Sequence, residues 1–299
     1  MHITRPGRAL LAGVIGGLLG IASTHARADD APANVSGKLL LTAGVSQIEG
    51  AGGGGLTPWA LIGGYETNDQ IGASAFYTRV NTQDYHLDDA GVLVGLYNRV
   101  EFSFAQQRFN TENVGAALGL GQGFTFRQNV FGVKVRLFGD AILDQDSWVP
   151  QVSVGMQYKK NDQGAILHAI GARSDQGTDF YVSATKLYLA QSLLLNATLR
   201  MTKANQIGIL GFGGDLSNSY HLEPEFSAAY LVTRKLAIGA EYRRKPNNLG
   251  IARESNWYDA FVAYTLDKHV ALTLAYADLG NIVIKSHQHG LYASVQVGF

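Results

Sequence analysis

The sequence is poor in the residues on which several common protein classes depend. None of its 299 residues is cysteine and only six are proline, which excludes a disulfide framework, a cysteine-type zinc site and a collagen-like chain. Charged residues make up 16% of the chain, below the roughly 25% of ordinary soluble domains. The formal net charge is zero, so nothing indicates binding to nucleic acid.

Glycine and aromatic residues are abundant instead. The chain contains 36 glycines, 14 tyrosines and 13 phenylalanines, and 46% of its residues are hydrophobic. This hydrophobic content excludes a disordered chain, because such chains cannot bury enough apolar surface to fold. A high content of apolar and aromatic residues with little charge is typical of a sheet that has one face in lipid.

The first 28 residues have the form of an export signal. Arg5 and Arg8 give a basic start, residues 9–23 are uncharged and apolar, and Ala26 and Ala28 are the small residues that a signal peptidase reads. Fifteen helical residues span about 22 Å, which is short of the roughly 30 Å core of a bilayer. We therefore predict a signal peptide at residues 1–28, removed after Ala28. Residues 29–299 would form one outer-membrane barrel domain.

The rest of the sequence alternates between apolar and polar or small residues. Residues 291–299 place Leu, Ala, Val, Val and Phe on one face and Tyr, Ser, Gln and Gly on the other, a pattern typical of a β-strand. Other alternating segments run for about 9 to 12 residues, the length of a tilted strand that crosses a bilayer. Aromatic residues lie near strand ends on the apolar face, where membrane barrels carry aromatic girdles; they are Tyr158, Tyr242, Tyr264, Tyr276 and Phe299. A soluble β-sandwich is the alternative.

Short and long links between these segments alternate. Long polar or glycine-rich stretches are predicted to be outer loops, at residues 48–57, 81–89, 109–125, 161–177, 204–220, 246–256 and 280–289. Seven such loops predict an all-β, antiparallel, up-and-down transmembrane barrel of about 14 strands. Twelve strands is the runner-up, because the segments near Leu61 and Leu93 are glycine-rich and weakly patterned. Residues 114–124 could form a helical or extended piece inside the barrel.

Several strings of the sequence resemble a known family. They are GGGLTPWA at residues 53–60, QYKKNDQG at 157–164, FYVSATK at 180–186, LLLNATLR at 193–200 and EYRRKPNNLG at 241–250. They are similar to a proteobacterial family of about 300 residues that is classed only as a domain of unknown function. The resemblance implies a Gram-negative outer-membrane protein and assigns no catalytic or binding residue. The size and strand count are loosely similar to monomeric 14-stranded porins, an analogy of fold alone.

The predicted inner face carries charges of both signs. Seven bases and four acids are expected there: Lys38, Lys134, Arg136, Lys159, Arg200, Lys235 and Arg243, with Glu101, Glu225, Glu241 and Asp259. One interpretation is a water-filled pore that passes small polar or anionic solutes, with these charges as selectivity groups. The other is a plugged lumen in which the charges pair, because buried charges need partners. A structural or adhesive barrel without transport is the corresponding alternative function.

Other chemistry is weakly indicated. His287 and His289 could offer two rings to a metal, but no ligand-spaced motif is present. A lipid-modifying enzyme would need an activated serine; Ser183 has no adjacent histidine, and no G-x-S-x-G string occurs. We therefore expect no enzyme and no cofactor. The expected partners are outer-membrane lipid, small polar solutes and the barrel-assembly machinery, the last through the C-terminal strand ending at Phe299.

Overall fold

Twelve antiparallel strands close into a barrel in the computed structural model, which describes Lys38, Leu41 and residues 44–299. The predicted signal peptide and its cleavage site lie outside the described residues. Two short strands, β1 (Val45–Ser46) and β2 (Gly52–Gly53), precede the barrel. The barrel strands are β3 (Ile71–Asn81), β4 (His86–Leu96), β5 (Val100–Asn110), β6 (Thr125–Phe138), β7 (Gln151–Asn161), β8 (Gln176–Tyr188), β9 (Leu193–Thr202), β10 (His221–Thr233), β11 (Leu236–Arg243), β12 (Trp257–Thr265), β13 (Val270–Ile282) and β14 (Lys285–Gly298).

Each barrel strand pairs with its neighbours in sequence, and the last strand closes on the first. β14 runs antiparallel to β3, with Leu291 opposite Asn81 and Gly298 opposite Ser74. The C-terminal Phe299 extends this contact, since its carbonyl accepts a hydrogen bond of 3.0 Å from the N–H of Ala73. Closure leaves the sheet no free edge, as a bilayer requires of a spanning sheet.

The alternation in sequence becomes an apolar outside and a polar inside. In β12 the even-numbered residues, Tyr258 to Tyr264, are exposed, while the odd-numbered ones, Trp257 to Thr265, are buried. The large exposed residues of the other strands are also apolar, among them Phe131, Leu199, Leu274 and Leu291. Such an outer surface fits lipid rather than water. In the described part of the chain, no helix is long and apolar enough to cross a membrane.

The prediction of 14 strands is wrong, and the runner-up of twelve is confirmed. Residues 44–64 are called the inner segment below. The sequence predicts an outer loop at residues 48–57 and a wall strand near Leu61, but residues 45–64 are all buried inside the barrel and contribute no wall strand. Five of the six residues at 50–55 are glycine. Glycine weakens strands and offers no apolar side chain to lipid. Nothing in this stretch therefore favours a strand of the barrel wall.

The outer loops are also shorter at two places than the sequence indicates. Only residues 283–284 connect β13 to β14, and residues 82–85 connect β3 to β4, so His86, His287 and His289 lie in strands and not in loops. The loops after β5 and β7 contain short helices, α1 (Glu112–Ala117) and α2 (Gly164–Ala169). Residues 114–117 are therefore helical, but only Val114 and Gly115 of residues 114–124 are buried, so this stretch is part of a loop and not the piece inside the barrel that the sequence predicts.

The longest outer loop, residues 203–220, folds back into the barrel. Residues 204–214 are buried, and the carbonyls of Ile207 and Ile209 accept hydrogen bonds of 3.1 and 3.0 Å from Gln128 and Asn161 on the wall. The inner segment and this loop together fill much of the lumen.

Candidate functional site

A carboxylate of the inner segment is surrounded by three bases of the barrel wall. One Glu49 oxygen forms an ion pair with Nζ of Lys159, and the other lies 2.6 Å from Nη1 of Arg243 and 3.6 Å from Nη2 of Arg200. All four side chains are buried. The bases come from β7, β9 and β11 and converge because each occupies an inward-facing position of its strand.

Two acids of the wall complete this central cluster. Asp179 on β8 lies 2.6 Å from Nζ of Lys159. Glu225 on β10 lies 2.5 Å from Nε of Arg200 and 3.3 Å from Nε of Arg243. Three bases thus face three acids, one of which belongs to the inner segment. Buried charges arranged in this way satisfy one another, so removing any one leaves an uncompensated charge in the interior.

A second ion pair holds the glycine-rich part of the inner segment. Lys134 on β6 lies 3.0 Å from Glu101 on β5, and its Nζ donates hydrogen bonds of 2.8 and 2.7 Å to the carbonyls of Gly52 and Leu61. The Glu101 carboxylate in turn accepts bonds of 2.9 and 2.7 Å from the N–H groups of Gly52 and Gly63. A Cβ added at Gly52 would lie 2.9 Å from Glu101, so glycine is what permits this close approach.

Glu241 and Asp259 lie opposite each other on β11 and β12, and both are buried. Glu241 accepts hydrogen bonds from the N–H of Leu56 at 2.7 Å and the hydroxyls of Thr57 at 2.6 Å and Ser227 at 2.9 Å. This carboxylate therefore also binds the inner segment and does not face open water.

The remaining predicted lumen residues lie away from the centre. Arg136 is at the end of the barrel opposite the long loops, where it contacts the carbonyl of Gly139 and lies 3.2 Å from Asp140. Burial raises the pKa of Asp140, but hydrogen bonds from the N–H groups of Leu143 and Ile142 and the charge of Arg136 outweigh it, and the pKa lies below its usual value. Lys38 pairs with Glu66 at 2.5 Å.

The placement of Lys235 in the lumen is wrong. It is exposed in the turn between β10 and β11 and bonds to the carbonyl of Leu266. Lys235 has the same odd-numbered phase as the inward-facing residues of β11, but that strand begins only at Leu236. Lys235 itself lies in the turn, where alternate residues no longer point to opposite faces of a sheet.

A further buried ion pair lies in the loop between β11 and β12. Nζ of Lys245 is 2.8 Å from Glu254 and 4.2 Å from the centre of the Trp257 ring. Burial lowers the pKa of Lys245 to about 8, although the charge of Glu254 opposes this shift. Burial likewise raises the pKa of Glu254.

Little free space remains beside the inner segment. An internal cavity of about 40 Å³ lies between Ile48 and Leu56 of the inner segment, the inward-folded loop and the wall residues Trp257 and Tyr292. Its lining is mostly apolar, so it resembles the dry cavities of protein interiors more than a water-filled passage. In the described conformation the lumen is therefore filled, and the charges are paired rather than lining an open pore.

Across residues 44–299, no three His, Cys, Asp or Glu side chains are grouped to hold a metal ion. His289 accepts or donates a hydrogen bond with Tyr276 on the outer surface. Ser217 Oγ lies 3.0 Å from Nε2 of His221, but among the described residues no third group binds the other ring nitrogen.

Nine of the eleven charged residues predicted for the inner face occupy inward-facing positions of the barrel strands, namely Glu101, Lys134, Arg136, Lys159, Arg200, Glu225, Glu241, Arg243 and Asp259. Their role in selectivity stays a prediction. Sequence reasoning does not find Glu49, because the sequence predicts an outer loop at residues 48–57. It also missed Asp179, although Asp179 alternates in phase with the inward residues Tyr181, Ser183 and Thr185.

The barrel is similar to several solved outer-membrane structures, and no curated protein matches the chain in sequence. The KdgM porin is 11% identical with a TM-score of 0.49, over 76% of this chain and 99% of the porin. The NanC porin is 10% identical with a TM-score of 0.43, over 77% and 98%. Outer membrane phospholipase A from Escherichia coli is 11% identical with a TM-score of 0.41, over 78% and 93%. Over residues 42–296 the sequence matches a family described as "Protein of unknown function (DUF3034)", and the chain belongs to that family.

Proposed function

We propose that this chain is a porin-like channel of the bacterial outer membrane for small polar solutes, anionic ones in particular, and that the inner segment closes it. The observation that carries the proposal is the pairing of β1 and β2. These two strands pair with each other and with no barrel strand. The inner segment can therefore leave the lumen without breaking the hydrogen-bonded ladder of the wall.

The chemistry of the wall supports a lumen that also exists in a hydrated form. The inner segment is bound by polar side chains: Gln151 Nε2 bonds to the carbonyl of Ala60 at 2.6 Å, and Thr198 Oγ1 to that of Pro58 at 2.8 Å. Replacing buried charges by well-packed apolar groups is often neutral or stabilising, so a permanently filled interior has no need of these charges for its stability. Water can satisfy amides, hydroxyls and charges once the segment has left, whereas it could not favourably wet an apolar wall.

The surroundings of Glu49 support a preference for anions. When the inner segment leaves, Lys159, Arg200 and Arg243 keep Asp179 and Glu225 but lose the Glu49 carboxylate. The local charge then changes from balanced to an excess of one positive charge. An anionic solute can take the place of Glu49, because charged donors at close range bind carboxylate or phosphate oxygens strongly.

Single-channel conductance in a planar bilayer under a salt gradient tests the proposal. The wild-type barrel should be mostly closed, and Glu49→Gln should show frequent open steps with a reversal potential on the anion-selective side. Glu66→Gln is the matched control, because Glu66 is also a buried acid but binds Lys38 outside the central cluster. It should conduct as rarely as the wild type.

Folding of each variant is verified by its heat-dependent migration in electrophoresis. If folded Glu49→Gln and a variant lacking residues 44–64 are both silent, the proposal is wrong. A structural or adhesive barrel without transport would then be the better conclusion. Lipid turnover by the silent barrel in mixed micelles would instead favour an enzyme.

A further inference from the structure

Two arginines face each other on the outer surface of the barrel, near the end that carries the long loops. Arg108 on β5 is directly opposite Arg127 on β6, and both side chains are exposed. Like charges at directly opposed positions of a sheet repel each other. The pairing is therefore unfavourable unless a negative group lies between them.

The protein itself supplies no such group. Within residues 44–299, neither guanidinium donates a hydrogen bond or lies within ion-pair distance of a carboxylate. The acids nearby are engaged elsewhere: Asp88, opposite Arg108 on β4, binds Arg79 at 2.9 Å and the Tyr77 hydroxyl at 2.6 Å. Asp162 accepts a hydrogen bond from the backbone N–H of Arg127.

A third base and two amides extend the patch. Lys160 on β7 is exposed and lies opposite Asn129, two residues along β6 from Arg127. Asn129 in turn accepts a hydrogen bond of 3.2 Å from Gln106 on β5. Three neighbouring strands thus present three cations and two amides on one outward-facing area, which we call the basic patch: Gln106, Arg108, Arg127, Asn129 and Lys160.

The surface below the basic patch is apolar. Phe104 and Phe131 contact each other with ring centres 5.0 Å apart. Each lies two residues from an amide of the basic patch, Phe104 from Gln106 and Phe131 from Asn129, on the side away from the long loops. Beyond them a shallow groove runs along the outer wall, lined by Val133, Met156, Phe180 and Leu199 among others. Met156 is four residues from Lys160 along β7, about 13 Å at the rise of a strand. A cationic area above an apolar area is complementary to a lipid, whose anionic headgroup lies above its acyl chains.

From this arrangement we infer that the basic patch binds a phosphorylated lipid of the outer leaflet, with phosphate between Arg108 and Arg127 and an acyl chain on the aromatic and apolar wall below. Guanidinium pairs bind phosphate oxygens through short, charge-assisted hydrogen bonds. A free phosphate would satisfy the arginines but would not use the apolar wall. A lipid without phosphate would use the wall but leave the arginines repelling each other.

Binding to the purified full-length barrel in detergent tests this inference, with three probes: bis-phosphorylated lipid A, the same lipid without its phosphates, and inorganic phosphate. Native mass spectrometry measures the fraction of barrel that retains each probe. We expect retention of the phosphorylated lipid alone. Arg108→Gln/Arg127→Gln should weaken it at least about tenfold, since each base near an anionic headgroup contributes roughly a fivefold factor. Lys160→Gln should have a smaller effect in the same direction.

Arg99→Gln/Arg234→Gln is the matched control, because Arg99 and Arg234 are exposed in short turns at the other end of the barrel. This pair should bind the phosphorylated lipid like the wild type. Equal binding by the Arg108/Arg127 variant and the wild type overturns the inference. An equal loss of lipid binding in the control variant also overturns it, because this would indicate unspecific attraction. Retention of inorganic phosphate as strongly as of the lipid overturns it as well, because this would indicate an ion site. Intact barrels are recognised by their heat-dependent migration.

Discussion

Glu49 and Arg243 are 194 residues apart in the sequence, yet Oε2 of Glu49 lies 2.6 Å from Nη1 of Arg243 in the centre of the barrel. One residue belongs to the inner segment and the other to the wall. The same carboxylate pairs with Lys159, so a single side chain of the inner segment contacts two distant strands. The contact fixes the depth of the segment in the lumen.

A disulfide between the inner segment and the wall should hold the channel closed. The hydroxyls of Thr57 and Ser227 are 2.5 Å apart, close to the separation that two bonded sulfur atoms need. The chain has no cysteine of its own, so Thr57→Cys/Ser227→Cys can form one bridge only. In the Glu49→Gln background, we expect conductance to vanish on oxidation and to return on reduction.

Each single cysteine variant in that background is the control and should conduct under both conditions. Conductance that persists after complete oxidation, measured by loss of free thiol, would mean that solutes pass without movement of the inner segment near Thr57.

Arg200 and Arg136 should differ in their effect on ion preference. Arg200 belongs to the central cluster, whereas Arg136 lies at the end of the barrel beside Asp140, 3.2 Å away. In the Glu49→Gln background, Arg200→Gln should move the reversal potential toward cation preference, because it removes the local excess of positive charge. Arg136→Gln should move it less, and the double variant should resemble Arg200→Gln. Equal shifts from both single variants would contradict a selectivity centre at the cluster.

Stability should depend on the protonation of Lys245. Its pKa in the folded barrel is about 8, below the ordinary 10.5. Between these values the unfolded chain binds more protons, so the free energy of unfolding rises with pH across that window. The free energy of unfolding rises by on the order of 2 to 3 kcal/mol across that window. Below about pH 8 Lys245 is charged in the folded barrel, and its burial then destabilises the fold fully. Lys245→Met should remove this rise.

Urea unfolding in detergent at about pH 8 and about pH 10 measures the difference. Lys268→Met is the control, since Lys268 is exposed in a turn; it should keep the pH dependence of the wild type. If Lys245→Met keeps it too, the dependence comes from another group.

A glycine of the wall should be intolerant of a side chain because an aromatic ring covers it. A Cβ added at Gly239 would lie 2.4 Å from both the Phe261 ring and the carbonyl of Ala228. Gly239→Ala should therefore lower the free energy of unfolding by about 1 to 3 kcal/mol, the usual cost of overpacking. Phe261→Ala relieves only the ring contact, so the double variant should lose less than the sum of the two single variants. Strict additivity would exclude coupling between the two residues.

The sequence by itself determined the class of fold and the face on which each strand residue lies. Period-two alternation is a local property, and it placed Lys134, Lys159, Arg200 and Arg243 on the inner side because every second residue of a strand points the same way. It also predicted the mainly apolar outside, since a charged side chain in the lipid core is costly.

The tertiary structure alone decided the number of wall strands and what fills the lumen. Residues 50–55 are nearly all glycine. Without side chains, the sequence shows no alternation of apolar and polar residues that could predict whether this stretch lies in the wall, in a loop or inside the barrel. Their place is fixed by Lys134 and Glu101, which bind their backbone groups from the wall. Glu49 likewise acquires its partners only when strands far apart in sequence close into a ring, because ion pairing depends on distance in space.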